Sequence, residues 1–465
     1  MKKIIAILIV ALALGCDDYL DIQEKGKKIP ETVEDLNLLM NDYNKFIRST
    51  VNVLFVNDEV KLYEDEVSKI FWGGVERFLN GYQWRDHIYD DPDANDSDWN
   101  DFYAQIYICN VVLDKIDEAE GDDVTLRNIT KGEALAQRAY AYFMLVNIYG
   151  KHYNSTMSTS DLGVPLYTEP DVNNTKGRAT VKEVYDLIEG DLQEALTLLP
   201  PKQEYPYHPS QAGVHGLLAK VYLYKGEWEE ALDHAESALA INSNLYNFND
   251  YDFIPGAPKF AGLLGFPRQT WEHEEILWTK NVSHPFVYGI GVYMTEDHLS
   301  LYDEGDRRLY FRHIEFHGYG ANDRGPIIYS KENYYKAGIN TPELYLIRAE
   351  CNARLDRPDL AIGDLNTLRQ TRFDVDKFVP YAMGMSSNEA LELVFKERRV
   401  ELFLEPWRWF DLKRLNLEAE YQVTLTRTFN GTTYSLSPES NNYVIAIPKK
   451  VINLNPKVEQ NPRGQ

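Results

Sequence analysis

The sequence predicts an all-α fold in which tetratricopeptide-like helix pairs alternate with long irregular stretches. Apolar residues recur at three- and four-residue steps over 99–119, 133–149, 181–198, 212–225, 228–240, 341–355, 359–371 and 388–404, the period of an amphipathic helix. Small residues recur among them at tetratricopeptide offsets. The stretches at about 46–98, 150–180 and 244–340 show little periodicity.

In chain order, the N-terminus reads as a signal peptide over residues 1–15. Lys2 and Lys3 precede an aliphatic run from Ile4 to Leu14, and Gly15 precedes Cys16. That run is too short to cross roughly 30 Å of hydrocarbon as a helix. Cys16 has three readings. Asp17, Asp18 and Asp21 oppose a core thiol, because burying them is costly. A disulfide needs Cys109 or Cys351, and both lie in segments with helical apolar periodicity. The third reading, which we expect, is a lipobox cysteine that carries acyl chains, each buried methylene contributing about 0.8 kcal/mol to membrane binding. Ala13 stands where Leu is more usual in such a signal.

The helix over 133–149 stops at Gly150, and the helix over 181–198 stops before Pro200-Pro201. In VHGLLAKVYLYKGEWEEALDHAESALAINS, Leu218, Ala219, Tyr222, Ala231, Ala235 and Ala238 fall at tetratricopeptide spacings, with Gly226 at the turn. In ELYLIRAECNARLDRPDLAIGDLNTLR, Ala349, Ala361, Leu365 and Leu368 repeat the offsets. A weaker pair joins 133–149 with 181–198. Such units bury their apolar faces only by stacking. The helix over 388–404 places Leu391, Val394, Phe395 and Leu402 on one face and stops at Pro406. Thr424–Thr428 and Thr432–Leu436 read as a hairpin through Asn430-Gly431.

Composition narrows the function. Lysine plus arginine is 48 against 72 acids, a net charge of -24, and such a surface repels phosphate backbones, so nucleic acid is not an expected partner. The 32 tyrosines and 8 tryptophans offer amphipathic rings for packing or for stacking on sugars. No HExxH, CxxC, GxSxG or Gly-rich phosphate loop occurs, so a zinc protease, redox enzyme, serine esterase or NTPase has no support. DDPDANDSD, from Asp90 to Asp98, resembles a calcium loop only in composition. It reads as a solvated acidic loop, and no metal or cofactor is expected. Glu397, Glu401, Arg398 and Arg399 lie on one helix, with Arg408 and Asp411 beyond the turn. Carboxylates can serve as acid and base, but this spacing favours pairing with arginines around a packed aromatic turn.

Several segments together resemble the SusD/RagB family of outer-membrane lipoproteins, in the family's order. These are CDDYLD, EALAQRAYAYFMLVNIYGKHY with GVPLYTEP, RATVKEVYDLIEGDLQEALTLLP, the repeat at 212–240, LYLIRAECNARL, ERRVELFLEPWRWFDLKR and IAIPKKVINLNPKVEQNP. Pro406 departs from the Gly common in that family. The resemblance implies one domain over 16–465. Its helical scaffold would span 99–240 and 341–415, packed against irregular ligand-binding regions at about 46–98 and 244–340. It also implies a non-enzymatic lipoprotein on the outer membrane that captures oligosaccharides, or peptides in some members, for a SusC-like TonB-dependent transporter. Asp17-Asp18 resembles the family's surface-export signal.

A sugar site needs exposed rings edged by polar groups. Trp99, Tyr103, the tyrosines from Tyr140 to Tyr149, Trp228, Trp407 and Trp409 read as scaffold. The expected ligand-binding residues are therefore Trp72, Tyr82, Trp84 and Arg85 in the first irregular region, and Trp271, Trp278, Tyr288 and Tyr293 in the second. Asp58, Arg77, Asn80, Gln83 and Asp86 are polar companions, and Gly73-Gly74 offers either close backbone access or an ordinary turn. The alternatives are a helical interaction scaffold without a small-molecule site, and a glycosidase.

Overall fold

Side-chain caps decide where the helices begin, because the first turn of each leaves free backbone amides. The structure, a computed structural model, describes residues 30–464 apart from 68–74, 254–262, 268–271, 283–291, 310–312, 315, 318–319, 322–326 and 329–334. The signal peptide and Cys16 lie outside the described residues. Helix α1 spans Val33–Met40 and α2 spans Val75–Tyr82. Asp96 caps α3 (Ser97–Lys115), and Asp123 caps α4 (Val124–Tyr149). Thr180 and Glu183 form a capping box on α5 (Val181–Leu198). Then come α6 (Gln211–Lys225) and α7 (Trp228–Ile241), joined where Gly226 turns left-handed at φ 77°. Asn340 caps α8 (Thr341–Arg354), followed by α9 (Pro358–Gln370). Ser386 and Glu389 box α10 (Ser387–Glu401), and Pro406 opens α11 (Trp407–Leu415).

Helix α4 is the hub. From Ala134 to Tyr149 every residue is buried, and α1, α3, α5 and α6 pack around it. Further along, α6 pairs with α7, α8 with α9, and α10 closes on α8. Ala231, Ala235, Ala238, Ala349 and Ala361 are all at most 1% exposed, so the small residues lie inside the stack. The weaker expected pair is real too: α4 packs along α5.

Three element boundaries differ by three residues or more from the sequence reading, the first being the end of α3 at Lys115 rather than near 119. Helix α4 starts at Val124 rather than near 133, because its first two turns carry too few buried apolar residues to register as periodic. Helix α10 ends at Glu401, before Pro406. The chain turns at Leu404 (φ 62°), and Pro406 starts the next helix.

The strands are short. They include β1 (Val60–Leu62), β2 (Ile276–Trp278), β3 (Asn281–Val282), β4 (Val292–Met294), β5 (His313–Ile314), β6 (Ile327–Ile328), β7 (Tyr335–Lys336) and β8 (Ile339–Asn340), and two further antiparallel pairs join Asp252–Phe253 with Leu263–Leu264 and Phe316–His317 with Gly320–Ala321. Strands β1 to β8 form an antiparallel sheet in the order β1-β4-β6-β5, with separate pairs β3-β7 and β2-β8. The expected hairpin is β9 (Leu425–Phe429) and β10 (Thr432–Leu436). Asn430 and Gly431 sit at φ 54° and 70°, the left-handed pair that such a two-residue turn requires.

The β2-β8 pair is locked onto α6 by close backbone approach. A Cβ on Gly338 would lie 2.0 Å from the carbonyl oxygen of Trp278, and one on Gly216 would lie 2.2 Å from Cγ2 of Ile339. Only glycine fits these contacts.

Candidate functional site

The two irregular stretches expected to carry a ligand are joined into one surface. Strand β1 pairs with β4 in the register Val60↔Met294, Lys61↔Tyr293 and Leu62↔Val292. Tyr63, at the end of β1, is half-buried, and its ring meets that of Tyr293 edge-on at 4.8 Å and 89°. The ammonium of Lys61 lies 5.0 Å from the Tyr63 ring centroid and 3.8 Å from the Glu296 carboxylate. A half-exposed ring braced by a second ring, with a cation and an anion beside it, is suited to a sugar face and its hydroxyls. The sequence reading passed over Tyr63. The signal available was its place one step beyond the Val60–Leu62 alternation.

The seam rests on a rigid foundation. Asp98 accepts from the amides of Val51 (3.0 Å) and Asn52 (3.1 Å) and from the hydroxyl of Thr50. Asp96 accepts from the side-chain Nδ2 of Asn52 at 3.0 Å. Both aspartates are buried, so DDPDANDSD is a solvated loop only in its first half: Asp90, Asp91 and Asp93 are exposed. Burial, and then the neighbouring Asp96 carboxylate, pushes Asp98 up to about 7. Further along, Arg408 forks onto Asp58, and Arg427 donates to the carbonyls of Phe55, Val56 and Asn57. The Arg427 guanidinium lies 4.0 Å from the ring centroids of both Tyr82 and Trp84.

The described candidate rings are corrected by their burial. Tyr82, Trp84, Trp278 and Tyr293 are 2%, 4%, 0% and 1% exposed, and no ligand can stack on them in this conformation. Each has a packing task. The Tyr82 hydroxyl accepts from the amide of Leu62 at 3.2 Å, and Trp84 donates to the carbonyl of Val56 at 2.7 Å. Trp278 lies against Tyr140 at 5.5 Å, and Tyr293 supports Tyr63. Their loops are irregular, yet the loops are packed, so irregularity did not imply exposure. Trp72, Trp271 and Tyr288, and Gly73-Gly74, lie outside the described residues.

Among the companions, Arg85 is exposed and donates to Gln83 at 2.8 Å, and exposed Asp86 accepts from Asn442 at 3.0 Å. Arg77 is committed to Tyr89 and Ser97, and buried Asn80 to Ile88 and Asp90. Among the rings read as scaffold, Trp99, Tyr140, Tyr142, Tyr149, Trp407 and Trp409 are buried, and Tyr103 and Trp228 are half-buried against the same core.

The acid-rich block on α10 is a structural network. Glu397 meets Arg308 at 2.8 Å, Arg369 at 3.0 Å and the Tyr381 hydroxyl at 2.7 Å. Glu401 meets Arg308 at 3.2 Å and Arg372 at 3.3 Å. Asp411 bridges Arg398 (2.7 Å) and Arg414 (2.8 Å). Burial alone would raise Asp411, yet those two guanidiniums hold it down at about 2. Carboxylates tied to arginines in this way are not available as a proton donor and acceptor pair.

Comparison with known proteins agrees with this architecture. Residues 18–223 match a family model described as starch-binding and associating with the outer membrane, and residues 330–463 match that of the SusD family. The chain is 26% identical to SusD-like protein P38 of Formosa agariphila over 69% of its own length and 72% of the relative's. SusD-like protein P2 of the same organism is 24% identical, over 90% and 91%. A putative sugar binding protein from Bacteroides vulgatus superposes with a TM-score of 0.71 at 23% identity, covering 94% of this chain and 99% of that one. A SusD superfamily protein from Bacteroides thetaiotaomicron gives 0.72 at 22%, covering 93% and 100%.

Proposed function

Because the chain belongs to the SusD family, we propose that it is a cell-surface lipoprotein that captures oligosaccharides and hands them to a SusC-like TonB-dependent transporter. The acyl chains on Cys16 hold it at the outer membrane. The observation that carries the reading is the β1-β4 seam, which fuses the two irregular regions and leaves Tyr63 half-exposed beside Lys61. Tyr63 and Val292 stand at the same end of that ribbon. Trp72 follows Tyr63 by nine residues, and Tyr288 precedes Val292 by four. These rings, with exposed Arg85, are the proposed ligand contacts. Trp271 belongs to the same proposal through its place in the second region. The chain acts as a binding protein, which the arginine-bound carboxylates of α10 support.

The test of the anchor is metabolic labelling with a radioactive fatty acid. Label should enter the wild type and be absent from Cys16→Ala. Affinity capture from detergent-solubilised membranes should return a barrel transporter. Equal labelling of both proteins, or capture without a transporter, would contradict this part of the reading.

A further inference from the structure

A cavity of ≈ 400 Å³ lies between the loop after α4, the end of α11 and the C-terminal segment, away from the seam. Its size falls among small-molecule sites. Lys413 lines it and is only 5% exposed. The Lys413 Nζ donates to the carbonyls of Asn147 and Gly150, the latter at 2.8 Å. An ammonium has three N–H donors, so one is left uncommitted. Arg178, also lining the cavity, spends its donors on the carbonyls of Gly163, Glu459, Tyr149 and Leu162. Among the described residues, neither cation has a carboxylate bonded to it. Asp161 on the wall is held by Lys151 at 2.8 Å, and Glu439 is exposed.

His152 adds a second signal. It is 8% exposed, lines the cavity and is within hydrogen-bond reach of the Tyr224 backbone, and its Nδ1 has no partner among the described residues. Burial first, and then the charges of Lys413 and Arg414, pushes it down to about 3, so it is a neutral ring with a spare polar atom. Burial likewise pushes Lys413 down to about 7. In a chain of net charge -24, a buried ammonium without a bonded carboxylate, beside an imidazole whose Nδ1 is unpaired among the described residues, is favoured in its charged form only when an anion answers it.

We propose that this cavity binds a sugar acid, with its carboxylate received by Lys413 and His152. The carboxylate supplies the missing counter-charge and accepts the uncommitted ammonium proton. The amide and hydroxyl groups of Asn154 and Ser160 suit ring hydroxyls, and Leu162 and Val444 give the ring an apolar wall. The site is independent of the glycan-capture reading, because no residue of the seam lines it.

Isothermal titration of the full mature chain with D-glucuronate and D-galacturonate tests this, with D-glucose, D-galactose and acetate as controls. Lys413→Met removes the charge. Leu417→Trp narrows the cavity from a half-exposed wall position without touching the buried contacts. The expected result is binding of a uronate that weakens at least about tenfold in both variants, no binding of the neutral sugars, and weaker binding of acetate. If Lys413→Met fails to fold by circular dichroism, Leu417→Trp alone decides. No uronate binding, equal binding of the neutral sugar, equal binding of acetate, or unchanged affinity in Leu417→Trp would overturn the proposal. Tyr63→Ala should leave uronate binding intact, which separates this site from the seam.

Discussion

Arg408 holds Asp58 by two parallel hydrogen bonds, Nε at 2.8 Å and Nη2 at 2.7 Å, across 350 residues of sequence. The pair fastens α11 to the segment that leads into β1, so the aromatic block of the helical frame positions the seam. Burial would raise the Asp58 carboxyl, but Arg408 and then Arg399 hold it well below the usual carboxylate range.

Breaking this pair from one side should leave a partly buried charge. Arg408→Leu is expected to cost about 2–3 kcal/mol, under the ~3–5 of a fully buried pair, because the Asp58 side chain keeps 22% exposure. Urea unfolding measures it. Since the native carboxyl is depressed, the contribution is present above about pH 4 and fades only as pH falls further. A wild-type pair that lost its effect between pH 7 and 5 would contradict the assignment.

Glycine substitutions separate tight backbone contacts from open ones. Gly338→Ala drives a methyl group into the Trp278 carbonyl and should cost more than about 3 kcal/mol or abolish soluble expression. Gly363→Ala, mid-helix in α9 with nothing within 4 Å of its added carbon, should stabilise by about 0.5–1 kcal/mol. Thermal unfolding of the two proteins gives both signs in one experiment.

The buried aspartates predict a pH dependence. Asp98 is raised to about 7, above the roughly 3.9 of an unfolded chain. The native state therefore holds a proton that the unfolded state has lost between those values, and this contribution falls as pH rises through the window. Asp98→Asn removes it. The stability gap between wild type and variant should be larger at pH 5 than at pH 8, by roughly 1–3 kcal/mol. A gap that stays constant between pH 8 and pH 5 would show that Asp98 is ionised throughout that range.

Much of the frame was legible because its signals are local. Apolar periodicity, the small residues at Ala231, Ala235 and Ala238, and Asn430-Gly431 each fix geometry within a few residues. That Glu397 and Glu401 are bound by arginines was expected from their helix, but the partners, Arg308, Arg369 and Arg372, come from other segments. Burial in the irregular regions was not. Trp278 is sealed because Gly338 and Gly213 let distant backbone approach, and Trp84 because Arg427 comes over its ring. These are contacts between segments far apart in sequence, and no local pattern announces them. Half-buried Tyr63 is a further case, since its brace, Tyr293, arrives by long-range strand pairing.

The most direct test of the account is isothermal titration of soluble oligosaccharides against the mature wild-type chain and Tyr63→Ala, both checked for folding. We expect at least one oligosaccharide to bind the wild type with a Kd of about 1 mM or tighter, and the variant to bind it at least about tenfold more weakly while unfolding at nearly the same temperature. Undiminished affinity in Tyr63→Ala, or no heat from any oligosaccharide across a broad panel, would contradict a glycan-binding seam.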